Sequence, residues 1–337
     1  MIFDTTLVTP SDGWIAIAVF ICASILIWAL LYIAPQQFRV PKRKNIYYAG
    51  VILVASITSA AVYILHSWKL SLGLISAMMV ASYIGRIDEV KKLSAIQQLL
   101  FQGIIAIITV LAGWVIPYIS NPFHNGIIFL NYPILGIIPG AILAFIWIIA
   151  CMNAINFLDG TDGLASSIGM IACIALAGIS LLPATQDMRT FKLAIIGFAA
   201  LASFFIWNAP RAKIYLGTTG SWGIGLYIAL ISMIGGGKIS TTLIVLALPV
   251  LDALFVIIHR IYSGVMPWHG DTTRHIHHRL AHAGMSKWNI VILISSCTLL
   301  LASISIIAST LVKIIAFIVF AAIFFAASFR MMKKAYL

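Results

Sequence analysis

Asn153, Asn156, Asp159 and Asp162 recur at every third position. Side chains three apart share a helix face, so two amides and two carboxylates point one way until Gly160 and Gly163 loosen the backbone. Apolar runs long enough to cross a bilayer flank this row, and carboxylates at the end of a membrane helix are costly without a partner. A simple polar turn needs one Asp or Asn and one glycine, so two Asp-Gly pairs in register with two amides exceed that need. Asp88, Glu89 and Asp271 fall at other breaks between apolar runs, Asp252 falls near the inner end of its own run, and His275, His277 and His278 sit between Arg274 and Arg279. Clustered carboxylates with few softer ligands suit a hard cation such as Mg²⁺, which takes oxygen ligands and keeps several waters. Zinc is the rival reading for the histidines, but their arginine neighbours repel a second cation. Imidazole and guanidinium together fit a phosphate or diphosphate better. A metal bridging phosphate oxygens, basic groups on the same anion and an apolar groove beside them are the parts of a phosphoryl-transfer site. A basic loop gripping anionic lipid headgroups is the blander alternative. It accounts for the arginines but not for three histidines within residues 275–278.

The elements that must position these groups are membrane helices. Of 337 residues, 62% are hydrophobic and 9% charged, against roughly a quarter charged in soluble domains. Spans need about 20 apolar residues, and the pattern predicts eleven: 13–34, 46–65, 70–86, 96–116, 134–155, 163–182, 191–207, 219–235, 239–262, 289–309 and 311–329. The expected fold is therefore all-α, a polytopic membrane protein of about eleven transmembrane helices, with residues 1–337 as one integral-membrane domain. Of the 21 Lys and Arg residues, only Lys69, Arg189, Lys192, Lys238 and Lys313 fall on the side opposite residues 35–45. The basic side is cytoplasmic, which puts the N-terminus outside and the C-terminus inside. That asymmetry also explains the net charge of +12 without nucleic acid as a partner. Asp88, Glu89, Asp159, Asp162, Asp252 and Asp271 then gather at the cytoplasmic face with most of the histidines. Cys22, Cys151, Cys173 and Cys297 stand singly in apolar runs, without metal or disulfide spacing. Residues 1–13 contain Asp4 and Asp12 and no Lys or Arg, the wrong charge for a cleaved signal peptide, so the first helix is expected to be retained.

Asn-x-x-Asn-x-x-Asp-Gly-x-Asp-Gly-Leu-Ala over 153–165 and His-Ile-His-His-Arg-Leu over 275–280 resemble the polyprenyl-phosphate N-acetylhexosamine-1-phosphate transferase family (glycosyltransferase 4 type). Asn208-Ala-Pro-Arg-Ala-Lys-Ile-Tyr-Leu-Gly217, Pro249-x-x-Asp252 and Gly85-Arg-Ile-Asp88-Glu89 extend the resemblance over about residues 13–330. It implies transfer of a sugar-1-phosphate from a UDP-N-acetylhexosamine, such as UDP-N-acetylglucosamine, to undecaprenyl phosphate in the bilayer of the bacterial cytoplasmic membrane, with release of UMP. It further implies Mg²⁺, with Mn²⁺ able to replace it, and allows a homodimer. By position, Asp88, Glu89, Asp159 and Asp162 would be catalytic, and Asp88, Asp159 and Asp162 would serve the metal. Asn153, Asn156, Lys213, His275, His277, His278 and Arg279 would bind substrate. The His-Ile-His-His-Arg form resembles the branch that starts O-antigen, enterobacterial common antigen or teichoic acid more than the muramoyl-pentapeptide branch.

Several positions depart from the family pattern. Glu89 replaces a second Asp, Gln98 stands where a basic residue is expected, and Gly217-Thr218-Thr219-Gly220-Ser221 lacks the usual Asp at Thr218, normally a metal ligand. The spacing before His275 is one residue longer than usual, and the loop after Arg39 lacks the usual proline and double glycine. Two readings follow: an active transferase, or a degenerate paralogue that binds nucleotide or lipid phosphate without turnover. A transporter with an intramembrane carboxylate relay would need ionisable groups at mid-depth, and Asp252 is the best the chain offers.

Overall fold

The computed structural model describes residues 10–32, 48–121, 123, 126–131, 136–183, 185–235, 238–266 and 275–335. Arg39 and the loop to residue 47, Trp268, His269, Asp271 and Arg274 lie outside them. The helices are α1 (Pro10–Tyr32), α2 (Tyr48–Leu65), α3 (Trp68–Lys91), α4 (Ala95–Leu111), α5 (Ile138–Leu158), α6 (Leu164–Ser180) and α7 (Met188–Asn208). They continue with α8 (Gly217–Met233), α9 (Ile239–Val245), α10 (Ala247–Tyr262), α11 (Ile276–His282), α12 (Lys287–Ile307) and α13 (Thr310–Ala335). Between α4 and α5 a short antiparallel hairpin pairs β1 (Tyr118–Ser120) with β2 (Ile127–Phe129). The protein is thus an all-α polytopic membrane protein. Six of its described helices are long and apolar enough to span a bilayer, and a seventh span arises if α9 and α10 count as one.

Each of the eleven apolar stretches holds helix, but 239–262 is not the single rod expected. It is bent by 66° between α9 and α10. Pro249 supplies the cause: it has no N–H for the ladder, and its ring clashes with the carbonyl four residues back, here Val245, where α9 ends. At α4 the start is equally local. Ser94 Oγ accepts from the Gln97 N–H while Gln97 Oε1 accepts from the Ser94 N–H, a capping box that satisfies two otherwise orphaned donors.

α8 is the axis of the bundle. Every residue from Thr219 to Met233 is buried, because a helix that is apolar all round belongs inside, and α2, α3 and α5 pack on it. Lipid tails are as apolar as leucine, so close packing and interhelical hydrogen bonds hold such helices together. Trp147 Nε1 donates to Ser232 Oγ at 2.9 Å, Tyr227 Oη to the Leu193 carbonyl at 2.6 Å, and Gln102 and Asn153 exchange amide bonds at 3.2 and 2.6 Å. Each such bond contributes on the order of 0.6 kcal/mol. Gly85 lets α3 touch the start of α8: a Cβ there would lie 2.6 Å from Thr219 Cα. Any side chain at 85 would push Asp88 and Glu89 away from α8. At the other end of α8, Lys238 Nζ meets Asp187 Oδ2 at 2.5 Å and the Ile234 carbonyl at 2.6 Å, clasping the α6–α7 and α8–α9 connections together.

Candidate active site

Three carboxylates converge on the first turn of α8. The Gly217 N–H hydrogen-bonds the Asp159 carboxyl. Thr218 Oγ1 donates to Asp88 Oδ2 at 2.5 Å, and the Thr219 N–H donates to Glu89 Oε1 at 3.2 Å. One turn on, Ser221 Oγ donates to Asn156 Oδ1 at 2.8 Å. The first N–H groups of a helix have no intrahelical acceptor and carry partial positive charge, so acids brought there by the ends of α3 and α5 are stabilised. The segment that lacks the family's Asp is therefore the hub of the acid cluster.

Asp88 and Glu89 end α3. Asp88, 6% exposed, also accepts Gln98 Nε2 at 3.0 Å and the Leu93 N–H at 2.9 Å on Oδ1. Glu89 pairs with Arg86 at 3.0 Å. Asp159 is the C-cap of α5 and keeps part of its surface open. Burial, then the charges of Glu89 and Asp162, hold its carboxyl well above the usual carboxylate range, with the Gly217 N–H opposing. The turn that follows is fixed by Asn208 at the end of α7. Its Oδ1 accepts from the Gly163 N–H at 3.1 Å and Ser166 Oγ at 3.0 Å, and its Nδ2 donates to the Ile214 carbonyl at 3.0 Å. Asp162 takes an ion pair from Lys287 at 2.8 Å.

The histidines approach the same turn from above. Asp252, 2% exposed, organises α11: His275 Nδ1 lies 2.8 Å from Oδ2, while the Ile276 N–H and Arg279 Nη2 each donate to Oδ1 at 2.8 Å. An ionised carboxylate only accepts, so His275 Nδ1 carries a proton. The His275 ring stacks on Phe157 with centroids 4.9 Å apart and is parallel to His277 at 6.0 Å. His277 in turn lies 4.2 Å from His278. His277 covers Gly160 so closely that a Cβ there would fall 2.2 Å from its Nε2, so any side chain at 160 would displace the ring. Burial, then His278, His275 and Arg279, push the His277 imidazole down to about 3, so it is neutral in water near pH 7. Both its ring nitrogens, and Nε and Nη1 of Arg279, are buried with no hydrogen-bond partner among the described residues. The Arg279 guanidinium carbon lies over the Phe255 ring, 4.6 Å from its centroid, and 5.9 Å from that of Phe324.

Asp88, Glu89, Asn156 and Asp159 thus meet at α8, Asp162 borders them, and His275, His277, His278 and Arg279 adjoin through Gly160. Two expected site residues stand apart. Asn153 is tied to Gln102 within the α4–α5 contact, and Lys213 is exposed with its ammonium 5.3 Å over the Trp207 ring. The spacing gave no sign that Thr218 and Gln98 share one acceptor, or that Asp252 holds α11, although Pro249-x-x-Asp252 marked the position. Among the described residues no three of His, Cys, Asp and Glu form a metal-holding group. The donors nearest the turn are carboxylate oxygens. Such a set suits a cation that takes one or two protein carboxylates and completes its shell with phosphate and water, the habit of Mg²⁺.

Residues 71–236 match the family model described as glycosyl transferase family 4, an interval that includes every acid at the α8 turn. The chain is 31% identical over 222 residues to a Bacillus subtilis (strain 168) protein named probable undecaprenyl-phosphate N-acetylglucosaminyl 1-phosphate transferase, an alignment covering 63% of this chain and 58% of that one. It is 34% identical over 169 residues to the decaprenyl-phosphate N-acetylglucosaminephosphotransferase of Mycobacterium leprae, with 43% and 42% covered. With a phospho-N-acetylmuramoyl-pentapeptide-transferase of Lactococcus lactis it shares 30% over 275 residues, 74% of this chain and 78% of that one. The chain spans about half the length of the first two of these relatives.

Proposed function

Since the chain belongs to glycosyl transferase family 4, we propose that it transfers an N-acetylhexosamine-1-phosphate from a UDP-sugar to undecaprenyl phosphate at the cytoplasmic face of the membrane. An oxygen of the lipid phosphate attacks the sugar-bearing phosphorus of the donor. The bond from that phosphorus to the bridging oxygen breaks, and UMP leaves with the electron pair. The relatives of Bacillus subtilis and Mycobacterium leprae are named for N-acetylglucosamine, which favours UDP-N-acetylglucosamine as donor; the outcome proposed is the start of a cell-envelope polysaccharide such as O-antigen.

The observation that carries this reading is the set of unfilled buried donors on His277 and Arg279, set against the turn that ends in Asp159. Buried polar groups are normally satisfied, and phosphate oxygens reaching His277 and Arg279 would satisfy these. The acceptor phosphate is already largely ionised near neutral pH, so alignment and charge stabilisation matter more than a strong base. Asp159 would hold Mg²⁺ or Mn²⁺, with Asp162 joining once Lys287 yields. The ion, when bound, neutralises charge on the diphosphate. Asp252 keeps His275 and Arg279 turned toward the same anion, and Glu89 keeps α3 seated on α8. Against the non-catalytic alternative, Thr218 leaves no hole where an Asp is missing; its hydroxyl is bonded to Asp88.

Purified protein in nanodiscs is to be given undecaprenyl phosphate, Mg²⁺ and, separately, UDP-N-acetylglucosamine, UDP-N-acetylgalactosamine or UDP-N-acetylmuramoyl-pentapeptide. We expect UMP and lipid-linked product with UDP-N-acetylglucosamine. Absence of UMP with all three donors would overturn the reading.

A further inference from the structure

Two of the departures from the family pattern, Gln98 and Thr218, close on one carboxylate from opposite sides. Thr218 Oγ1 takes Oδ2 of Asp88 at 2.5 Å, and Gln98 Nε2 takes Oδ1 at 3.0 Å beside the Leu93 N–H. Every hydrogen-bond partner of Asp88 among the described residues is neutral; the nearby cation Arg86 goes to Glu89 instead. An O–H···O⁻ bond of this length is charge-assisted, and such bonds are about twice as strong as neutral ones. We infer that Thr218 and Gln98 are positioning residues that lock Asp88 as a fixed anion between α3, α4 and α8, so that this acid needs no metal ion to stay in place.

The inference rests on the transfer reaction proposed above and assigns a division of labour within it. Asp159, with one backbone donor among the described residues and like-charged neighbours, is left for the cation. Asp88 presents a rigid negative edge that orients the incoming groups. An Asp at 218 would set a second carboxylate against Asp88, and two such acids cannot both stay ionised at that distance without a cation or a proton. The hydroxyl removes that requirement. Gln98 has the complementary effect: a lysine there would pull the carboxylate with a mobile point charge, whereas the amide holds one oxygen at a defined angle while also reaching the Leu93 carbonyl at 3.5 Å.

The test uses the full chain in nanodiscs with UDP-N-acetylglucosamine, undecaprenyl phosphate and Mg²⁺. Thr218→Val should lower kcat by roughly 10- to 100-fold, the scale of an approximately 1 Å misplacement, while KM for the donor stays near the wild-type value. Thr218→Ser should restore most of the rate, and Thr218→Asp should lower it. Adding Gln98→Leu to Thr218→Val should cost less than the product of the single losses, because both act through one acceptor. A second readout needs no turnover: the infrared carboxylate band that disappears in Asp88→Asn should shift in Thr218→Val and in Gln98→Leu but not in Thr218→Ser. A wild-type rate in Thr218→Val, a gain in Thr218→Asp, or an unmoved infrared band overturns the inference. If the wild-type protein transfers nothing, the proposed reaction falls and the infrared comparison still decides this point. If Thr218→Val does not fold, Gln98→Leu carries the same comparison.

Discussion

The two ends of α8 both meet acids that are at least partly buried, and they treat them in opposite ways. At the far end Asp187 has its own cation, Lys238, at 2.5 Å, and Thr190 donates to it as well. At the near end Asp88 and Asp159 are met by a hydroxyl, an amide and backbone N–H groups, and among the described residues the nearby cation Arg86 serves Glu89. The first arrangement is complete and fastens two connections. The second leaves negative charge for something that arrives later, beside histidine and arginine donors that also lack partners. Compensated charge marks structure here, and uncompensated charge marks the site.

The comparison breaks most visibly if the clasp is cut. Lys238→Met strands a partly buried carboxylate, and loss of one partner from a fully buried pair costs about 3–5 kcal/mol, an upper bound for this one. The expected result is a marked fall in thermal stability with kcat per folded molecule unchanged; a selective loss of kcat would place catalytic work at the wrong end. The pH dependence of stability sharpens the contrast, because the two acids carry opposite signs. Lys238 holds Asp187 below the usual carboxylate range despite burial, so its contribution is present above the unfolded value and is lost as pH falls through the folded one. Asp159 is held above that range, so its contribution is present at low pH and is lost as pH rises through the folded value. In metal-free buffer, Asp159→Asn should flatten the loss with rising pH, and Asp187→Asn the loss with falling pH. Thermal melts across pH 3–8 read both, and like-signed changes would undo the distinction.

His277 gives a third, smaller lever. With the folded imidazole pushed down to about 3, the unfolded chain takes up a proton first as pH drops below about 6.5. Stability is therefore lost between those values on acidification, and His277→Leu should remove that dependence in the same melts. The least effect is expected at Lys287. It is 62% exposed in its pair with Asp162, and surface pairs contribute no more than about 1 kcal/mol. Lys287→Ala should barely move the melting temperature, and half-saturation by Mg²⁺ should fall as Asp162 is freed.

How much of this was legible in the sequence varies with range. Apolar length gives the helices, and the Asn153–Asp162 row correctly marks the turn. Yet the row does not stay on one face. Within α5 Asn153 goes to Gln102 and Asn156 to Ser221, and past its end at Leu158 Asp159 goes to Gly217 and Asp162 to Lys287. Which residues receive them depends on which helices are neighbours, and that is not written in local spacing. The same holds for Thr218, which reads as a lost ligand until α3 is seen against α8. Asp252 reads as a lone acid until α11 folds over it. Pro249 was visible, and a stricter reading of it would have broken 239–262 in advance.

The central claim is that phosphosugar transfer belongs to the near end of α8. Its most direct test compares Asp159→Asn with Asp187→Asn by UMP release from UDP-N-acetylglucosamine with undecaprenyl phosphate, each normalised to folded protein. Transfer should fall by about 100- to 1,000-fold for Asp159→Asn, the scale seen when a group stabilising transition-state charge is removed, and stay near normal for Asp187→Asn. Equal rates in the two variants, or the reverse order, would contradict it.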